Sequence, residues 1–157
     1  MKTPSLFLSV LAAIFVPAVI HSADQGPVFY HNYREALAQS KSSGKPLILI
    51  FSASWCPACQ QMKNNVYPSK SVRPFHDSFV WAYLDADDPS NGRVLNAYGV
   101  SEIPHIEFLT KEGRSIGHFA DAVSPEEFVG VLKKVLSFTA NPKNGQRRGG
   151  SGSQRSI

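Results

Sequence analysis

The sequence predicts an α/β domain, with a mixed central β-sheet flanked by helices on both faces. Residues 46–52 (PLILIFS) form an unbroken apolar run of strand length, the pattern of a strand buried on both sides. Helix-like and strand-like stretches alternate around it. The chain then closes with two hairpin strands and a capped helix, which makes the sheet mixed.

Each element has a local reason. Asn32 and Gly44 bracket NYREALAQSKSS, with apolar residues at 33, 36 and 37, as N-cap and C-cap of a short amphipathic helix. The central strand 46–52 follows. Residues 57–65 (PACQQMKNN) read as a helix with Pro57 in its first turn. A strand is expected at 79–84 (FVWAYL), then a helix over Gly92–Tyr98 capped by Asn91 and ended by Gly99. IEFL (106–109) and RSIGHF (114–119) flank the turn Thr110–Gly113. In the last helix Ser124, Pro125 and Glu127 form a capping box ahead of Phe128, Val131, Leu132 and Val135 at helical spacing. Phe79, Trp81 and Phe128 are expected in the core.

The two ends read differently. Lys2, the apolar run Leu6–Ile20 and the small polar residues HSADQ have the layout of a secretory signal peptide, here residues 1–23. The run is short for a membrane span and is interrupted by Pro17, so an uncleaved anchor ranks second. Residues 141–157 lack the apolar content needed to fold and are expected to be a disordered basic tail. The formal charge of +4 comes from the ends. Without Lys2 and the tail's Lys143, Arg147, Arg148 and Arg155, 11 basic residues face 12 acidic ones. No nucleic-acid motif is present. Residues 24–140 are left as one domain, expected to be exported, periplasmic and monomeric.

Both cysteines, Cys56 and Cys59, lie at the start of the second helix. Spaced three apart they share one helix face and can close and reopen a disulfide with little backbone movement. The helix start favours a thiolate on Cys56, and the thiolate is the attacking species in disulfide exchange. Cys59, one turn deeper, would resolve the mixed disulfide. Other chemistries fit less well. Covalent haem needs His after the second Cys, where Gln60 stands, and a structural zinc site needs four ligands. The histidines at 31, 76, 105 and 118 do not have finger spacing. A soft-metal carrier for Cu(I) or zinc, using the two thiolates with His105 as third ligand, stays open as an alternative. So does a redox-inert binding module. A disulfide closing so small a loop is a poor staple.

Trp55-Cys56-Pro57-Ala58-Cys59 after an apolar strand resembles the W-C-x-x-C of the thioredoxin superfamily. Tyr98-Gly99-Val100-Ser101-Glu102-Ile103-Pro104, a strand, and Lys111-Glu112-Gly113 are similar to that family's second pattern. The likeness covers about 28–138. Residues 45–72 look most like the periplasmic thioredoxin-like domains, such as the C-terminal domain of the membrane reductant conductor DsbD. The resemblance implies a thioredoxin fold and a cis Ile103–Pro104 bond facing the cysteines, with Ile103 docking substrate by strand-like hydrogen bonds. Trp55 would shield the disulfide or simply pack. His105 would favour the Cys56 thiolate by charge or line the groove. The sequence departs from the family at Ile50, where a buried Asp is usual, and at Tyr83, where a Lys is usual. Proton transfer from Cys59 then needs water or Glu107, although Glu107 itself is expected on the surface or at a sheet edge.

The expectation is a thiol–disulfide oxidoreductase with no cofactor and no dedicated metal site. Cys56 and Cys59 are the catalytic pair, with Trp55, Ile103, Pro104 and His105 on the substrate side. The absence of a large helical insertion favours a reductase, fed by a membrane electron donor of DsbD type. Its partners would be disulfides of exported proteins or of cytochrome c maturation.

Overall fold

The computed structural model describes residues 26–141. The expected signal peptide and all but the first residue of the basic tail lie outside them. In chain order the elements are β1 (Phe29–Tyr30), α1 (Tyr33–Ser43), β2 (Leu47–Ser52), α2 (Pro57–Gln61), β3 (Val80–Asp85), α3 (Gly92–Ala97), β4 (His105–Leu109), β5 (Ser115–Ala120) and α4 (Pro125–Ala140). The five strands form one sheet in the order β1-β3-β2-β4-β5. β1 and β2 run parallel to β3, whereas β4 is antiparallel to both β2 and β5. The mixed sheet is as expected, and every residue of β2 is buried at its centre.

Period-two alternation distributes the strand residues between two cores. Ile48, Ile50, Trp81, Ile106, Phe108 and Phe119 face α4 and the region after α2, meeting Met62, Val66, Phe128, Leu132 and Val135. Leu47, Leu49, Phe51, Val80, Ala82 and Leu84 face the other way, onto Ala36 and Leu37 of α1 and Val94 and Leu95 of α3. Helices therefore cover both faces of the sheet. Phe79, Trp81 and Phe128 are core residues as expected.

The expected caps of α1 and α4 form. Asn32 accepts from the N–H groups of Arg34 and Glu35, and Gly44 takes the left-handed conformation at φ 75°. In α4 the Ser124 side chain accepts from the Glu127 N–H, and the Glu127 carboxylate accepts from the Ser124 N–H. That bond holds the Glu127 carboxyl below the usual carboxylate range. The capping contribution is thus present above that range and is lost as pH falls through the lowered value.

Three local expectations change. Asn91 does not cap α3: its backbone is already helical, and its amide donates to the Asp85 carbonyl at 2.9 Å. Asp88 caps the preceding turn, Pro89–Asn91, by accepting from the Ser90 N–H. The helix expected over 57–65 keeps α geometry only to Gln61 and then widens into a π-helical turn, Met62–Val66, where the Tyr67 N–H reaches back to Met62. The two-residue edge strand β1 is too short to leave a periodic signal in the sequence.

Phe128 ties the α4 core together, with ring centroids 5.6 Å from Tyr67, 6.1 Å from Trp81 and 6.1 Å from Phe119. Phe128→Ala is expected to cost about 3–5 kcal/mol of stability. Urea unfolding followed by far-ultraviolet circular dichroism measures this; a loss below about 1 kcal/mol would contradict the packing described.

Candidate functional site

Register sets the site. Phe51 near the end of β2 pairs with His105 at the start of β4, so the loop leaving β2 and the loop entering β4 emerge side by side. The first loop delivers Cys56 and the second delivers Ile103–Pro104.

Cys56 is the N-cap of α2 in extended conformation, followed by Pro57 at the first helical position. Proline fits there because no backbone N–H is needed. Cys56 and Cys59 are joined in a disulfide with their Cα atoms 5.2 Å apart. The Cys59 N–H points at Cys56 Sγ over 3.2 Å. Both cysteines are buried, Cys56 at 4% exposure and Cys59 at 1%. Ala53, Ala58 and Ile103 pack around the pair.

The Ile103–Pro104 peptide is cis, and the Ile103 carbonyl oxygen lies 3.8 Å from Cys56 Sγ. Pro104 is held from the far side, where the Asp121 N–H donates to its carbonyl at 3.2 Å. Asp121 adopts a positive φ of 113°, uncommon for a residue other than glycine, while its carboxylate accepts from the Ala122 N–H. Trp55 stands out from the surface at 67% exposure. Its indole N–H donates to the Asp87 carboxylate at 2.7 Å, which fixes the ring beside the disulfide instead of in the core.

Two expectations are corrected. Glu107 is not a surface residue: it is 2% exposed in the interior strand β4. Its position pairs it with Leu49, whereas Ile50 pairs with Ile106, so Glu107 points to the opposite face of the sheet from Ile50. His105 is 3% exposed and its ring does not line an open groove. Its Nε2 instead meets Glu107 Oε2 at 3.2 Å, its ring stacks on His118 at 4.8 Å, and its edge meets Phe51. On the Ile50 face the hydroxyls of Ser52 and Tyr83 are hydrogen-bonded to each other, with Lys63 over the Tyr83 ring.

The sequence reading missed Asp87, Asp121, Ser115 and His118. The last two were visible only through register, since they become neighbours of Glu107 when β5 folds back on β4. On the same face, burial, the Tyr33 hydroxyl and the charge of Glu107 together hold the Tyr98 phenol well above its ordinary value.

Known proteins share this arrangement. Residues 33–136 match the thioredoxin-like domain family. The chloroplastic thioredoxin-like protein HCF164 of Oryza sativa subsp. japonica is 33% identical over 105 residues, or 67% of this chain and 38% of that protein. The thiol:disulfide interchange protein DsbD of Vibrio cholerae is 32% identical over 85 residues, 53% of this chain and 14% of that protein. The chain thus spans less than half the length of these relatives. A solution structure of a thioredoxin from Thermus thermophilus superposes with a TM-score of 0.66 at 25% identity, covering 79% of this chain and 98% of that one. A CxxC disulfide at the head of α2, beside the Ile103–Pro104 loop, and a family match across the sheet lead to one conclusion: the chain belongs to the thioredoxin-like family of thiol–disulfide oxidoreductases.

Proposed function

We propose that this protein is an exported reductase of protein disulfides. The observation that carries the reading is the Cys56–Cys59 disulfide at the start of α2, with Cys56 Sγ 3.8 Å from the Ile103 carbonyl. In the reduced protein the Cys56 thiolate attacks one sulfur of a substrate disulfide. A mixed disulfide forms and the other substrate sulfur leaves as a thiolate, taking a proton. The Cys59 thiol loses its proton and attacks Cys56 Sγ, which releases the second substrate thiol and re-forms the Cys56–Cys59 disulfide. Two electrons and two protons pass to the substrate. The Cys59 N–H aimed at Cys56 Sγ is placed to stabilise the Cys56 thiolate of the reduced protein before it attacks.

Reset requires a dithiol donor. The similarity to DsbD supports a membrane-bound donor of that type, and the signal-like residues 1–23 support export to the periplasm. The clients are disulfides of exported proteins, cytochrome c maturation partners among them. An extended substrate segment docks along Ile103, next to the exposed Trp55 ring. The buried Ile50 offers no proton acceptor on the α2 face. A water at the opened disulfide takes the Cys59 proton, because Glu107 faces the other core.

Insulin reduction driven by dithiothreitol tests the chemistry. The wild-type protein accelerates it, and Cys56→Ser abolishes the acceleration; unchanged activity in that variant would falsify the reading. Cys59→Ala should instead trap the substrate on Cys56, visible as a mixed-disulfide adduct by non-reducing electrophoresis. Asp87→Ala frees the Trp55 indole at a cost of about 1 kcal/mol in positioning. It is expected to raise KM roughly fivefold for a protein substrate, with kcat little changed. A fall in kcat at constant KM would place the ring in the chemistry instead.

A further inference from the structure

His105 and Glu107 lie on one face of β4, and His118 stands directly across from Glu107 on β5. His105 Nε2 is 3.2 Å and His118 Nδ1 3.7 Å from the same carboxylate oxygen, Oε2. The other oxygen accepts a short hydrogen bond from the Ser115 hydroxyl. One ligand atom from each of His105, Glu107 and His118 lies within 4.8 Å of the others.

We propose that His105, Glu107 and His118 form a binding site for a divalent transition-metal cation of the zinc class, separate from the two thiols. The donor set is two imidazole nitrogens and one carboxylate oxygen, which suits zinc and its neighbours better than calcium or magnesium. At bond lengths of ~2.0–2.1 Å, tetrahedral ligand atoms stand about 3.3 Å apart, close to the two distances to Oε2. The third pair lies within 4.8 Å, and the two stacked imidazole rings must turn toward the carboxylate for both nitrogens to reach one ion.

Charge gives the second reason. Glu107 is 2% exposed, and among the described residues its side-chain partners are two imidazoles and a hydroxyl, with no arginine or lysine. A buried carboxylate is costly unless a positive charge compensates it. His118 Nδ1 lies 3.7 Å from the oxygen it faces, beyond hydrogen-bonding range. A dication between the three ligands compensates the carboxylate and uses both nitrogen lone pairs. The remaining coordination position opens along His118, whose side chain is 18% exposed on the edge strand. Ser115 orients the carboxylate from behind, the role that outer hydrogen bonds commonly play at zinc sites. The ion would clamp β4 to β5 immediately after Pro104, stiffening the base of the loop that faces Cys56.

The test is calorimetric titration of zinc chloride into the untagged full chain with its disulfide kept oxidised, so that the thiols cannot bind. One equivalent is expected. His118→Ala should weaken binding at least about tenfold, and Ser115→Ala by about 10- to 100-fold. Cobalt(II) in place of zinc should give visible bands without thiolate charge transfer. Three results would overturn the proposal: no binding by the oxidised protein, binding undiminished in both folded variants, or binding that appears only on reduction and vanishes in Cys56→Ser.

Discussion

Most of the site depends on one pairing, the antiparallel register of β2 against β4. With Phe51 opposite His105, the end of the strand before the cysteines and the residue after Pro104 occupy neighbouring positions at one end of the sheet's interior strands. A slip by one residue would turn every β4 side chain to the other core. It would drive Ile106 and Phe108 out of the α4 cluster and push Glu107 into it. Burial on both faces of the sheet makes that slip prohibitive, so hydrophobic packing far from the sulfurs holds Ile103 against Cys56.

The same register isolates two kinds of chemistry on opposite faces. The disulfide helix runs into the α4 core, where Ile50 is apolar and the hydroxyls of Ser52 and Tyr83 pair with each other. The ionisable cluster of His105, Glu107 and His118 belongs to the α1 and α3 side. A sheet one residue thick separates them. Charge placed on the second face reaches the sulfurs through the backbone of β4 and the Ile103–Pro104 loop, not by direct contact.

Much of this was legible in the chain itself. The apolar run 46–52, the caps at Asn32, Gly44 and Ser124, and the hairpin each have local causes that survive folding. So does the cysteine pair, because a helix start is a local structure. What escaped is non-local. Glu107 read as a surface residue because a lone acid between apolar neighbours is usually a strand's outward position; β5 and the sheet's second layer put it indoors. His118 and Ser115 gained meaning only by cross-strand neighbourhood. Asn91 failed as a cap because its backbone is already helical, in a turn that Asp88 caps, while its amide donates to the Asp85 carbonyl six residues away.

The bond from the Asp121 N–H to the Pro104 carbonyl has a consequence for recognition. Proline has no N–H to donate, and here its carbonyl is already occupied. Of the two residues at the cis bond, only Ile103 has a backbone N–H, so on the proposed docking mode it alone can both donate to and accept from a client segment. A reader with so short a line of text detects that a segment is extended and carries a sulfur nearby, and learns little about its side chains. On the proposed function such a surface would suit a generalist, and any preference among clients would be written by the rim, where Trp55 is a large exposed ring.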